Sequence, residues 1–387
     1  MDTKVYKISE IGEVVGGGTP STEHEEYWNG DIPWVSPKDL TGYNNVYISH
    51  GENFITQKGL NKSGTKLLPQ NTVLFSSRAP IGYIALAANP ICTNQGFKSI
   101  VCNEKLVSPL YLYYYIKSNL NYIKLFGSGA TFPEISGSSM KKIKINIFTD
   151  LIYQRRIASI LSAYDNLIDN NNRRIRLLEQ MAENLYKEWF VRFRFPGHEK
   201  AEFENGLPKG WKIEKYDKVS TISAGGDKPE FFSQFPTEEC NVPIYSNGIV
   251  DDGLYGYTNK ARINKPCITI SARGTVGFVC MRRMPFVPIV RLLAVVPKND
   301  LNVYYLYHSS KYNDLEGNGT SQQQLTVPML NKRKIVIPIN DLLVSFRNKV
   351  EPLYNQINML KKQSVILSRQ RDLLLPRLMS GKLEVKA

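Results

Sequence analysis

The side chains best suited to chemistry in this 387-residue chain are cations and amides set in Gly- and Ser-rich loops. The chemistry they suit is recognition of a polyanion rather than bond making. Lys and Arg hold phosphates without regard to sequence, whereas base reading favours Arg on guanine and Asn or Gln on adenine. By that criterion the first half offers Lys38, Ser76, Arg78, Asn94, Gln95, Lys98 and Thr131. The second half offers Ser246, Asn247, Arg273, Arg291, Gln322, Gln323 and Gln324. Each has a plainer reading beside it. Arg78 and Arg273 each stand four residues before a glycine, Gly82 and Gly277, and an arginine held in both copies serves equally to brace a turn. Asn94 and Gln95 serve equally to bond loop backbone. Lys141, Lys142, Lys144, Lys332, Arg333 and Lys334 either track phosphates or solubilise a strand.

Signals for catalysis are weak by comparison. The turn Gly16, Gly17, Gly18, Thr19, Pro20 lacks the Lys-Ser/Thr of a phosphate-binding loop. Asn89 and Pro90 are followed by Ile91 and Cys92, which does not make the catalytic segment of an adenine methyltransferase. His24, His50, His198 and His308 show no metal-ligand spacing. The acidic pairs Glu25 with Glu26 and Asp251 with Asp252 lie in loops and read as solvated faces rather than catalytic dyads. No catalytic residue, metal or cofactor is expected on this chain.

Lys plus Arg exceeds Asp plus Glu by 49 to 35, a net charge of +14, and the pI near 9.3 points towards a polyanionic partner. Five cysteines, Cys92, Cys102, Cys240, Cys267 and Cys280, form no CxxC pair, and an odd count argues against a disulfide framework. A reducing cytoplasm fits this usage. No apolar signal segment opens the sequence, and no run reaches the ~18 apolar residues of a membrane helix.

Two long amphipathic segments must position the polar loops. Ile157, Leu161, Tyr164, Ile168, Asn171, Ile175, Leu178, Ala182, Leu185 and Trp189 recur in alternating steps of four and three. That is the stripe of a coiled coil, running within a helix expected over Leu151 to Phe190 and capped by Thr149 or Asp150. The alternation returns at Phe346, Val350, Leu353, Ile357, Leu360, Ser364, Leu367, Arg371, Leu374 and Leu378. Asn171 is expected to set register, Arg371 to lean out to solvent or to a partner, and Pro352 to kink the second helix. Other anchors repeat in the same order: Arg78 and Gly82 with Arg273 and Gly277, Tyr111 to Tyr113 with Tyr305 to Tyr307, and KIKINI with RKIVIP. The chain thus reads as one unit written twice. The expected layout is a first domain at 1–150, a long helix at 151–195, a second domain at 196–340, and a second long helix with a tail at 341–387. Antiparallel pairing of the helices is the simplest way to cover both stripes.

The segments GGGTPST, IPWVSPKDL, SSRAPIG, TNQGFKSIV, GSGATFPEIS, QRRIASILSAYDNLIDNNNRRI and LLLPRLMSGKLEV together resemble the specificity subunits of type I restriction-modification systems, in that family's order. The second half departs from it, with ISAGGDKP and VPIYSNGIVDDGLYGYT in place of the GTPS and WVSPKDL forms. The resemblance implies an α+β fold: two mixed α/β target-recognition domains joined by two long helices in an antiparallel coiled coil, with a pseudo-two-fold internal repeat. It further implies a non-catalytic subunit that reads the two unlike halves of a split double-stranded DNA target. Its partners would be methyltransferase subunits, two of them, which use S-adenosylmethionine, and restriction or translocase subunits that use ATP. Two other readings stand against this one. The chain could be a two-headed interaction scaffold with incidental basic charge, or itself a nuclease or methyltransferase.

Overall fold

Each half of the chain opens and closes on the same two-stranded ribbon. The computed structural model describes residues 2–129, 133–298, 301–313 and 324–385. Its contacts divide the chain into one unit of residues 1–173 with 360–387 and another of residues 174–359. In the first unit Thr3–Lys7 pairs antiparallel with Lys144–Phe148, Lys7 opposite Lys144. The alternation in KINIF buries Ile145 and Ile147 and leaves Lys144 and Asn146 exposed, the two-residue period of a half-covered strand. In the second unit Lys212–Lys215 pairs antiparallel with Lys334–Ile337 in the same way.

The sheets repeat as well. The first unit orders Gly12–Gly16, Lys98–Cys102, Val73–Phe75, Ile84–Ala87 and Tyr47–Ile48 in one sheet. The second orders Ser220–Ala224, Leu293–Pro297, Cys267–Ile270 and Val279–Arg282, the same succession without the last strand. A three-stranded sheet accompanies each. It is Asn53–Ile55, Trp28–Val35 and Cys92–Thr93 in the first, and Leu254–Thr258, Val242–Tyr245 and Val287–Pro288 in the second. The apolar runs VLF and CITI are wholly buried, which is why they read as continuous runs rather than alternation. The aromatic helix Pro109–Ser118 buries everything from Tyr111 to Ile116, and Val303–Tyr312 is its counterpart.

The first long helix is Leu151–Tyr186 and the second Asn340–Met379. Asp150 caps the first, its Oδ1 accepting from the backbone N–H groups of Ile152 at 2.7 Å and Tyr153 at 3.4 Å. None of the predicted stripe residues on either helix is exposed. Within the first unit Asn171 Nδ2 donates to Gln363 Oε1 at 3.2 Å and Ser364 Oγ at 3.3 Å, while Asp165 meets Arg371. Going forward on one helix therefore goes backward on the other, and the pair is an antiparallel coiled coil. In the second unit Tyr186, Trp189 and Phe190 ring Phe346, with centroids 6.3, 6.0 and 5.0 Å away.

Three details differ from the sequence expectation or refine it. The regular α-helix stops at Tyr186 and is followed by one π turn, Lys187–Val191. The wider turn brings the consecutive Trp189 and Phe190 both inward, each 7% exposed, which ideal α geometry would not allow on one narrow stripe. The second helix runs unbroken through Pro352. Arg371 does not lean out. Its guanidinium pairs with buried Asp165, which also accepts from the Tyr114 hydroxyl at 2.5 Å. Burial works against the charge on Arg371, but Asp165 and Asp372 outweigh it and hold the guanidinium above its ordinary pKa. The last turns of the second helix, with Leu375, Leu378 and Met379, complete the core formed by Ile8, Tyr111, Tyr153 and Ile157. Burial of such side chains stabilises by roughly 1.5–3 kcal/mol each.

Candidate nucleic-acid interface

Three loops of the first unit that carry predicted residues meet at one place. Ser77 donates from its backbone N–H to Gly96 O at 2.7 Å and from its hydroxyl to the same oxygen at 3.1 Å. Ile135 N–H donates to Ser77 O at 3.0 Å, and Ser128 and Glu134 exchange backbone bonds at 3.0 and 2.9 Å. Asn94 Oδ1 accepts from Gly96 N–H at 2.8 Å, closing the turn that presents Gln95. Gly17 lies flush against this turn, since a Cβ there would sit 2.0 Å from Asn94 O. The backbone of the site is thereby tied from four sides.

On this frame Arg78 and Lys98 flank Glu134. Arg78 Nη1 and Lys98 Nζ each stand 3.4 Å from one carboxylate oxygen, and the three side chains are 39%, 16% and 35% exposed. The Arg78–Glu134 pair, over a third exposed on each side, contributes little to stability, so Arg78 can change partner at small cost. Gln95 is exposed and accepts from the Thr19 hydroxyl. Lys38 stands exposed on the turn Pro37–Leu40 and pairs with Glu52 at 3.0 Å, a hydrogen bond and charge that hold its ammonium above the ordinary value. Ser76 is placed differently from a surface contact. It is fully buried, and its hydroxyl donates to Pro80 O at 2.8 Å while accepting from Gly82 N–H at 3.1 Å and Tyr83 N–H at 2.7 Å. It holds the turn that bears Arg78.

The second unit repeats the frame with other side chains. Ser271 N–H to Phe278 O at 2.9 Å and Gly277 N–H to Ser271 O at 3.0 Å match Ser76 N–H to Tyr83 O at 2.9 Å and Gly82 N–H to Ser76 O at 3.0 Å. Leu325 N–H to Ala272 O at 3.0 Å matches Ile135 to Ser77. Gly225 stands where Gly17 does, a Cβ there falling 2.7 Å from the backbone of Pro288 and Ile289. Arg273 is exposed and donates to Gln324 Oε1 at 3.4 Å. Arg291 is exposed at φ +59°, after Val290 at φ +51°. Ser246 is partly buried, its N–H donating to Gly253 O at 2.8 Å. Asn247, like Ser76, is occupied inward. Its Nδ2 donates to Val290 O at 2.6 Å and its Oδ1 accepts from Ala272 N–H at 2.7 Å. Thr131, Gln322 and Gln323 lie outside the described residues.

Two residues of these sites carry no signal of their own in sequence. Glu134 is one acid in a polar loop until the fold sets it between Arg78 and Lys98. Arg282 is 6% exposed, with its guanidinium 3.6 Å over the Tyr245 ring and its Nε donating to Thr269 Oγ1 at 3.0 Å. It buttresses the strand leading to Ser246, and its own strand, Val279–Arg282, matches Ile84–Ala87 of the first unit, where Ala87 closes the strand.

Among the described residues no group of three or more His, Cys, Asp or Glu is placed to hold a metal ion. Burial pushes the Cys92 thiol up to about 11, and those of Cys102 and Cys267 up to about 12, away from any nucleophilic role. No helix among the described residues is long and apolar enough to cross a membrane.

Residues 1–180 and 208–362 match the model of the type I restriction modification DNA specificity domain, one match for each copy of the frame. This chain belongs to the type I specificity subunits. It is 35% identical over its whole length to the type I restriction enzyme MjaIX specificity subunit of Methanocaldococcus jannaschii, covering 94% of that protein. To the type I restriction enzyme HindI specificity subunit of Haemophilus influenzae it is 23% identical, over 94% of this chain and all of the other. Its fold is similar to the crystal structure of the type I restriction-modification S subunit from M. genitalium, with a TM-score of 0.65 at 17% identity, covering 98% of this chain and 96% of that one. The role of a specificity subunit lies in DNA-sequence specificity. It is the non-catalytic member of its system, and catalysis resides on partner subunits.

Proposed function

We propose that this specificity subunit reads a bipartite, asymmetric double-stranded DNA sequence, each unit contacting one half. The paired helices set the gap between halves and dock the methyltransferase subunits, two per chain, with restriction or translocase subunits joining them. S-adenosylmethionine and ATP bind on those partners and not on this chain. The observation that carries the reading is the repetition of one hydrogen-bonded frame, Ser76–Gly82 with Ser77–Ile135 and Ser271–Gly277 with Ala272–Leu325, with unlike polar side chains upon it. A shared frame supplies the same approach to the duplex, and unlike side chains supply unlike base preferences. The excess of cations supports the phosphate contacts that give affinity without sequence.

The chain expressed alone transfers no methyl group. Coexpressed with the methyltransferase of its own host it copurifies, and modified adenines appear at one split motif in single-molecule sequencing. Binding of the purified chain to its target duplex falls linearly in log K against log salt, and Arg78→Ala lowers that slope by about one. Equal binding to every duplex, or a copurifying complex that modifies no motif, overturns the reading in favour of an interaction scaffold.

A further inference from the structure

The two units place an arginine and a hydrogen-bond acceptor at equivalent points of the same frame, and within that pair the arginine stays while the acceptor changes. Arg78 follows Ser77 and faces Glu134, the residue before Ile135; Arg273 follows Ala272 and faces Gln324, the residue before Leu325. Both contacts span 3.4 Å. A third side chain changes with the acceptor. Lys98, opposite Gly16 in the sheet, touches Glu134, whereas the residue opposite Ala224, the counterpart of Gly16, is Leu293. A carboxylate held among bases needs a second cation, and a neutral amide does not.

We infer that Glu134 and Gln324 are equivalent specificity-determining positions that select different bases, an inference that rests on the DNA-reading role proposed above. A carboxylate is an acceptor only, so Glu134 takes the exocyclic amino group of cytosine and is repelled by the N7 acceptor beside the adenine amino group. The amide of Gln324 both donates and accepts, matching the N6 and N7 edge of adenine in the major groove. Arg78 and Arg273 hold these acceptors in place in the free chain and turn to phosphate or guanine when DNA arrives. The constant arginine gives both units one geometry, and the exchanged acceptor gives them two readings.

The test selects bound duplexes from a random pool with the full chain, its Glu134→Gln variant and the reciprocal Gln324→Glu variant. The wild-type motif is expected to change at one base pair of one half-site in each variant, from a cytosine to an adenine preference for Glu134→Gln and the reverse for Gln324→Glu. The change should be about tenfold or more, the discrimination one good base contact provides, with the other half-site untouched. Both side chains are part-exposed, so unchanged thermal unfolding verifies that neither variant acts through the fold. A wild-type motif that neither substitution alters, or one that degrades in both halves together, overturns this inference and leaves the broader reading standing. A wild-type chain that selects no motif at all overturns both.

Discussion

Removing the guanidinium of Arg371 should loosen the first unit far more than its place on a helix suggests. Arg371 is 13% exposed and its partner Asp165 only 4%. In Arg371→Leu the carboxylate stays buried, keeping the hydrogen bond from the Tyr114 hydroxyl and the more distant charge of Lys117. Breaking one side of a buried ion pair costs about 3–5 kcal/mol. Because Tyr114 continues to donate, the lower end applies, about 3 kcal/mol, which corresponds to roughly a hundredfold in an opening equilibrium. Native-state hydrogen exchange reads this directly: protection should fall by about that factor in segments 109–118, 151–173 and 360–379, while segment 303–312 of the second unit stays as it was. The triple variant Asp165→Leu, Arg371→Leu, Tyr114→Phe removes the whole polar network and should regain protection to within about tenfold of wild type, since an apolar replacement of a buried pair is often neutral. If Arg371→Leu costs less than about 1 kcal/mol, or if the triple variant is as damaged as the single one, the pair is not what joins the helices to Tyr114.

Two further outcomes follow from the same kind of reasoning. His308 is 3% exposed, shares a hydrogen bond of 2.9 Å with the Tyr354 hydroxyl, and is pushed down to about 3 by burial, with Lys311 adding to the shift and Glu183 opposing it. The unfolded chain protonates this ring near 6.5 and the folded chain does not. Stability is therefore full above pH 6.5 and lost on acidification at about 1.4 kcal/mol per unit, a slope that His308→Gln should remove between pH 6.5 and 5 in urea midpoints. Gly17→Ala drives a methyl group into the backbone oxygens of Asn94 and Thr93, 2.0 and 2.4 Å away. It should cost about 1–3 kcal/mol in denaturant unfolding and displace the Gln95 turn, and Gly225→Ala should do the same in the second unit. Chains that unfold like wild type and select an unchanged motif would show that neither glycine is required for the close approach.

The exposure of several polar loop residues was legible in the sequence, yet the hydrogen bonding inside those loops was not. Arg78, Gln95, Lys98, Arg273 and Arg291 stand at or near the surface, as their types suggest. Ser76 and Asn247, equally suited by type, turn inward because the tight backbone at Tyr83 and Ala272 presents N–H groups that a hydroxyl or amide oxygen accepts. Glu134 could not be singled out, since an acid in a loop gains meaning only from the cations the fold brings to it.

By itself the sequence determined what depends on neighbours a few residues away or on repetition: the coiled-coil stripe, the duplicated plan, the strand periods, and the motifs that mark the family. Spacing along the chain sets which face of a helix or strand is apolar, and that holds before any partner is known. Only the tertiary structure decided what depends on residues far apart in sequence. Arg371 faces inward because Asp165, 206 residues earlier, supplies the charge that offsets its burial. The π turn after Tyr186 exists because Phe346 and Tyr305 offer a surface to two consecutive aromatic rings. Charge burial and side-chain packing are properties of contacts, and no local pattern records which contact will form.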